Sequence, residues 1–113
     1  MFGISSATKV FVACGATDMR KSYNGLYGLV GQKIRQDPLS GHVFVFCNRY
    51  RNRIKVFYWD GSGFWVCAKR LEKGRFSWPD ESAGSVHWDR EMLTMVLGGM
   101  EMAPVERKPW YRR

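Results

Sequence analysis

HVFVFCNRYRNRIKVFYWDGSGFWVCAKR, residues 42–70, decides how the fold reads. Residues 42–48 (HVFVFCN) are apolar on both faces, as in a strand buried on both sides. Residues 49–52 (RYRN) form a polar connection suited to a hairpin. Residues 53–59 (RIKVFYW) alternate, with Arg53, Lys55, Phe57 and Trp59 on one side and Ile54, Val56 and Tyr58 on the other. Asp60-Gly61-Ser62-Gly63 is a hairpin turn signal, and residues 64–70 (FWVCAKR) make the third strand. The pattern predicts a three-strand antiparallel meander.

Upstream, residues 9–14 (KVFVAC) read as a strand with two apolar faces, hence an interior one, ended by Gly15. Thr17 or Asp18 offers a helix N-cap. From Met19 the apolar positions Met19, Tyr23, Leu26, Val30 and Ile34 are spaced 4, 3, 4, 4, which is one helical face. Gly25, Gly28 and Gly31 each cost such a helix about 1 kcal/mol relative to Ala. They predict a ridge that lets the helix pack closely on the sheet. Asp37-Pro38 ends the helix.

Downstream, residues 71–78 read as a turn and a short strand, and Trp78-Pro79 opens an acidic segment that reads as a loop. Asp89 can cap a second helix carrying Met92, Leu93, Val96 and Leu97 on its apolar side, stopped by Gly98-Gly99. The expected fold class is α+β: an antiparallel β-meander with an N-terminal strand, one packed helix and a short C-terminal helix. One domain is expected over residues 1–106, with a poorly ordered basic tail over 107–113.

Composition bounds the function. The chain has 113 residues, 45% of them hydrophobic and 15% aromatic, enough for a single core. No apolar run approaches a membrane span, and the start MFGISSATKV has no secretory h-region. Three cysteines, an odd number, argue against a disulfide framework and fit a reducing cytoplasm, where the protein is expected. The net charge of +8 is unevenly placed. Residues 1–79 carry 13 basic and 4 acidic side chains, residues 80–106 carry 1 and 6, and residues 107–113 carry 4 and none. A basic body suggests a polyanionic partner, with nucleic acid the commonest; the plain alternative is charge kept for solubility.

Nothing points to catalysis. Asp18, Asp37, Asp60 and Glu72 each have a local explanation as cap, pre-proline stop, turn residue and strand-end charge. His42 and His87 form neither HxH nor HExxH, and Cys14, Cys47 and Cys67 lack CxxC spacing. The cysteines read as small buried hydrophobes. Neither GxxxxGK[ST] nor GxGxxG occurs. No enzyme, cofactor, metal or small-molecule substrate is expected.

Cations are the informative feature. Arg49, Arg51, Arg53 and Lys55 recur every second residue. If strand register held across the turn, they would form a row with steps of about 6.5–7 Å. Lys69, Arg70, Lys73 and Arg75 add a second cluster, and Tyr50, Phe57, Trp59 and Trp65 are interleaved. Cations for phosphates plus rings for bases are the parts of a single-strand binding surface; the same cations suit a duplex backbone. The competing reading is a solvated strand face whose rings belong to the core. Arg20 and Lys21 stand at a helix start, against the dipole, which suggests a functional position or a salt bridge to Asp18.

The segments TDMRKSYNGL (17–26) and GHVFVFCNRYRNRIKVFYWDGSGFWVCAKRLEKGRFSWP (41–79) resemble the accessory protein of the second reading frame of IS66 insertion sequences, often labelled TnpB-like. The likeness covers residues 9–79 well; Ser22 departs from the small residue expected after TDMRK. It implies a role in transposition beside a separate, larger transposase, and no catalytic residues. The candidate nucleic-acid-binding residues are Arg20, Lys21, Arg49, Arg51, Arg53, Lys55, Lys69, Arg70 and Arg75, their role read from charge. The expected partners are the DNA phosphate backbone and the transposase of the same element. The alternative is a protein-interaction module that docks on the transposase without touching DNA.

Overall fold

The computed structural model describes residues 7–98. In chain order these form β1 (Val10–Ala13), α1 (Tyr23–Leu29) continued by a π-helical turn (Val30–Ile34), β2 (Val43–Cys47), β3 (Arg53–Trp59) and β4 (Phe64–Arg70). A 3-10 turn (Glu81–Ala83), β5 (Ser85–Trp88) and α2 (Arg90–Leu97) follow. The strands make one sheet in the order β4-β3-β2-β1-β5. β1 and β2 are parallel, so the chain must cross over between them, and α1 lies in that crossover. The other pairs are antiparallel, and β2-β3-β4 is the expected meander.

Alternation assigns each strand residue to one of two apolar layers. Val10, Val12, Val43, Val45, Ile54 and Val56 pack with Phe76, Trp78, Trp88 and the α2 residues Leu93 and Val96. On the opposite face Ala13, Phe44, Phe46 and Phe57 meet Leu26, Val30 and Ile34 of the first helix. β2 is buried throughout, as its two-faced apolar pattern requires.

Several expectations are corrected. The first helix begins at Tyr23, not Met19, because Asp18 spends its carboxylate on Arg20 and leaves Ser22 at the N-cap. The glycine ridge does not face the sheet. A Cβ at Gly28 or Gly31 would meet nothing within 4 Å, and one at Gly25 would meet Lys21. Leu26, Val30 and Ile34 occupy the sheet-facing stripe instead. Residues 71–78 hold no strand, whereas the segment read as a loop contains β5, paired with β1 from Val10↔Trp88 to Ala13↔Ser85. Phe57, one of the rings interleaved with the cations and offered for base stacking, is fully buried and stacks on Phe64 at 4.7 Å. The proposed tail, 107–113, lies outside the described residues. Among those described, no helix is long and apolar enough to cross a membrane.

Candidate nucleic-acid interface

Arg53 and Lys55 open β3 and share the face of Phe57, on the α1 side of the sheet. Because β4 runs antiparallel, its last residue Arg70 stands opposite Arg53 and Ala68 stands opposite Lys55. The segment between β1 and α1 crosses this end of the sheet. The Thr17 N–H donates to the Cys47 carbonyl at 2.7 Å, and Lys55 Nζ donates to the Lys21 carbonyl at 2.8 Å. A hollow of about 320 Å³ results, lined by Met19, Arg53, Lys55, Ala68 and Arg70 among others. A second, of about 430 Å³, is lined by Asp18, Met19, Asn48, Arg49, Tyr50 and Arg53 among others. Met19 and Arg53 line both, so the two hollows adjoin.

The four-cation row is broken at the turn. Asn48 Oδ1 accepts from the N–H groups of Asn52 and Arg53, both at 3.0 Å, and Asn48 Nδ2 donates to Asn52 Oδ1 at 2.8 Å. This closure puts Arg51 in the left-handed region, φ 60°, which a non-glycine residue seldom adopts. Its guanidinium then points to the other side, where it donates to the Trp78 carbonyl at 3.2 Å. Strand alternation applies only while φ and ψ stay extended, so the period of two ends where the turn begins.

Other candidates also separate. Lys69 lines the first hollow, but it is paired with Ile54 on the α2 side and its Nζ donates to the Leu97 carbonyl, away from the other cations. Arg75 stands in the loop before Phe76, whose N–H bonds the Arg51 carbonyl at 2.6 Å. Arg20 is exposed but held bidentately by Asp18, with a shortest contact of 2.7 Å. The Arg20 guanidinium, then its backbone N–H, holds the Asp18 carboxyl at a pKa of about 2. Arg70 pairs with Glu72 at 3.1 Å. Lys21, Arg49, Arg53, Lys55 and Arg70 therefore belong to one end of the sheet. Among the described residues no carboxylate lies within ion-pair distance of the first four.

The rings divide similarly. Tyr50, 68% exposed, lines the second hollow beside Arg49. Trp65 is exposed at the far tip of the β3–β4 hairpin, its indole N–H held by Asp60 at 2.7 Å. Trp59 packs on Phe64. Thr17, Met19, Asn48 and Asn52 were not singled out as site residues by sequence. Met19 sits in the helical spacing and Asn48 in the polar turn, but no local signal brings them together. Among the described residues no cluster of His, Cys, Asp or Glu could hold a metal ion.

An uncharacterized protein, y4jC, of Sinorhizobium fredii is 37% identical over 109 residues, covering 96% of this chain and 93% of its own. A second uncharacterized protein of the same organism, y4hO, is 36% identical over 93 residues, covering 82% and 81%. No solved structure matches. The IS66 Orf2-like protein family matches residues 8–107, including the turn at Asn48 and both cationic strand ends. The chain belongs to the IS66 Orf2-like family, the accessory proteins of insertion-sequence transposition.

Proposed function

We propose that this accessory protein binds DNA, holding backbone phosphates at the open end of β3 and β4. The observation that carries the reading is the convergence of Arg49, Arg53 and Lys55 on two adjoining hollows, with Lys21 beside them, none ion-paired to a described carboxylate; Asp18, which lines the second hollow, is held by Arg20. Arg70 joins them once Glu72, an exposed partner, gives way to a phosphate. Guanidinium groups suit phosphate because their N–H donors form a planar fork. Tyr50 offers a ring face at the edge of the second hollow for an unstacked base. The neighbouring larger transposase is the protein this DNA-bound factor would serve.

The test is a mobility shift with purified protein over a salt series. Five neutralised phosphates give a log–log slope of about −4.5 on duplex DNA. Replacing Arg49 and Arg53 by Glu is expected to weaken binding on every sequence and to flatten the slope by about 2. Lys73→Glu, in the loop beyond β4, leaves both unchanged. A wild-type slope near zero removes the DNA reading and leaves docking on an acidic protein surface.

A further inference from the structure

Among the described residues, the outer edge of β4 is the longer of the sheet's two open edges. Leu71 N–H donates to the Asn52 carbonyl at 2.7 Å, and Asp60 N–H donates to the Gly63 carbonyl at 3.0 Å. Hydrogen-bonded pairs in an antiparallel ladder alternate. Trp65, Cys67 and Lys69 therefore direct their amides to β3, and Phe64, Val66, Ala68 and Arg70 turn theirs outward. Among the described residues no strand takes up these outward groups. The other edge, β5, has four residues; β4 has seven, with continuous register, no proline and no charge before Lys69. A long, regular, mostly apolar edge is a template for another strand.

We propose that β4 pairs antiparallel with β4 of a second copy, on a two-fold axis through Cys67, to make a ten-stranded sheet. This register pairs all seven residues. It joins Val66 to Ala68 of the second copy through their outward amides. It also sets Lys69 and Arg70 opposite Trp65 and Phe64 of the other strand, so that cations face rings instead of each other. A parallel pairing would stack the two basic ends. The strand's own opposite end is thus its complement, which favours self-pairing over a foreign strand. Because the axis is perpendicular to the sheet, both α1 faces stay on one side. The two Arg70 Cα atoms then stand about 20 Å apart, six strand steps.

At the axis the two Cys67 residues form a non-hydrogen-bonded pair with Cα atoms about 4.5 Å apart, within disulfide reach. The full chain is examined by gel filtration with light scattering from micromolar to submillimolar concentration. A mass of two chains is expected. Ala68→Pro removes only an outward N–H, so it should return a monomer with unchanged circular dichroism. Mild oxidation should cross-link the wild type through Cys67 and fail in Cys67→Ser, since Cys14 and Cys47 are buried. This second readout reports the register even where Ala68→Pro misfolds. A monomer at every concentration overturns the proposal, and so does a dimer that Cys67 never cross-links. Neither result bears on DNA affinity, so the two readings fail separately.

Discussion

Asp60 holds the β3–β4 hairpin through four contacts. Its Oδ1 accepts from the Ser62 N–H and hydroxyl and the Gly63 N–H, and its Oδ2 accepts from the Trp65 indole. These bonds, the Ser62 N–H foremost, favour the charged form and bring the carboxyl to a pKa of about 2. The folded value lies below the unfolded one, so the contribution is complete above about pH 4 and fades as pH falls through about 2. The Trp65 indole N–H resonance should therefore shift and exchange faster across that window, and Asp60→Asn should abolish the titration. A resonance that stays still through the window contradicts the account. The turn itself was legible as Asp-Gly-Ser-Gly; the indole bond was not, because nothing local aims a side chain five residues on. The same division appears at Arg51. Its place in an every-second-residue series is plain in the sequence, but its left-handed φ follows from how Asn48 closes the turn.

The elements most legible in sequence were those with both periodicity and punctuation. β3 and β4 run over the expected residues, and Asp89 caps α2 by accepting from the Met92 N–H at 2.8 Å. The first helix kept Leu26, Val30 and Ile34 in its buried stripe, but Tyr23 is exposed, and the first turn is lost because the Asp18 carboxylate is bound to Arg20 instead of capping it. At the β2–β3 hairpin, Asn48 satisfies two backbone donors while half-buried. Asn48→Ala leaves those N–H groups short of partners and should cost about 1–3 kcal/mol in urea denaturation. Asn48→Asp keeps the acceptor and should recover most of it. An Ala variant as stable as the wild type would mean that water replaces the side chain without loss. The same substitution releases the Arg51 backbone, so it also tests whether the turn keeps that cation away from Arg49 and Arg53.

At the scale of the molecule, the described part of the acidic segment, residues 80–98, is structural. Asp80 caps the 3-10 turn, Glu81 pairs with Lys33 at 3.1 Å, and β5 and α2 supply Trp88, Leu93 and Val96 to the core. Trp78 packs edge-on against Trp88 at 5.2 Å and donates its indole N–H to the Ala13 carbonyl at 2.9 Å. Truncation after Pro79 would uncover the Val10, Val12, Val43 and Val45 face. It should replace a cooperative thermal transition with a dye-binding, broadly melting state. A truncated chain that still unfolds cooperatively would show that the α1 layer suffices alone. Hydropathy alternation and turn residues specify which strands exist and which side chains share a face, since both depend on neighbours in the chain. They do not specify that β5 pairs with β1, 78 residues earlier at Val10↔Trp88, or that residues 17–22 fold across the ends of β3 and β4. Those contacts join segments distant in sequence, and what selects them is the burial of complementary surfaces, which no local window contains.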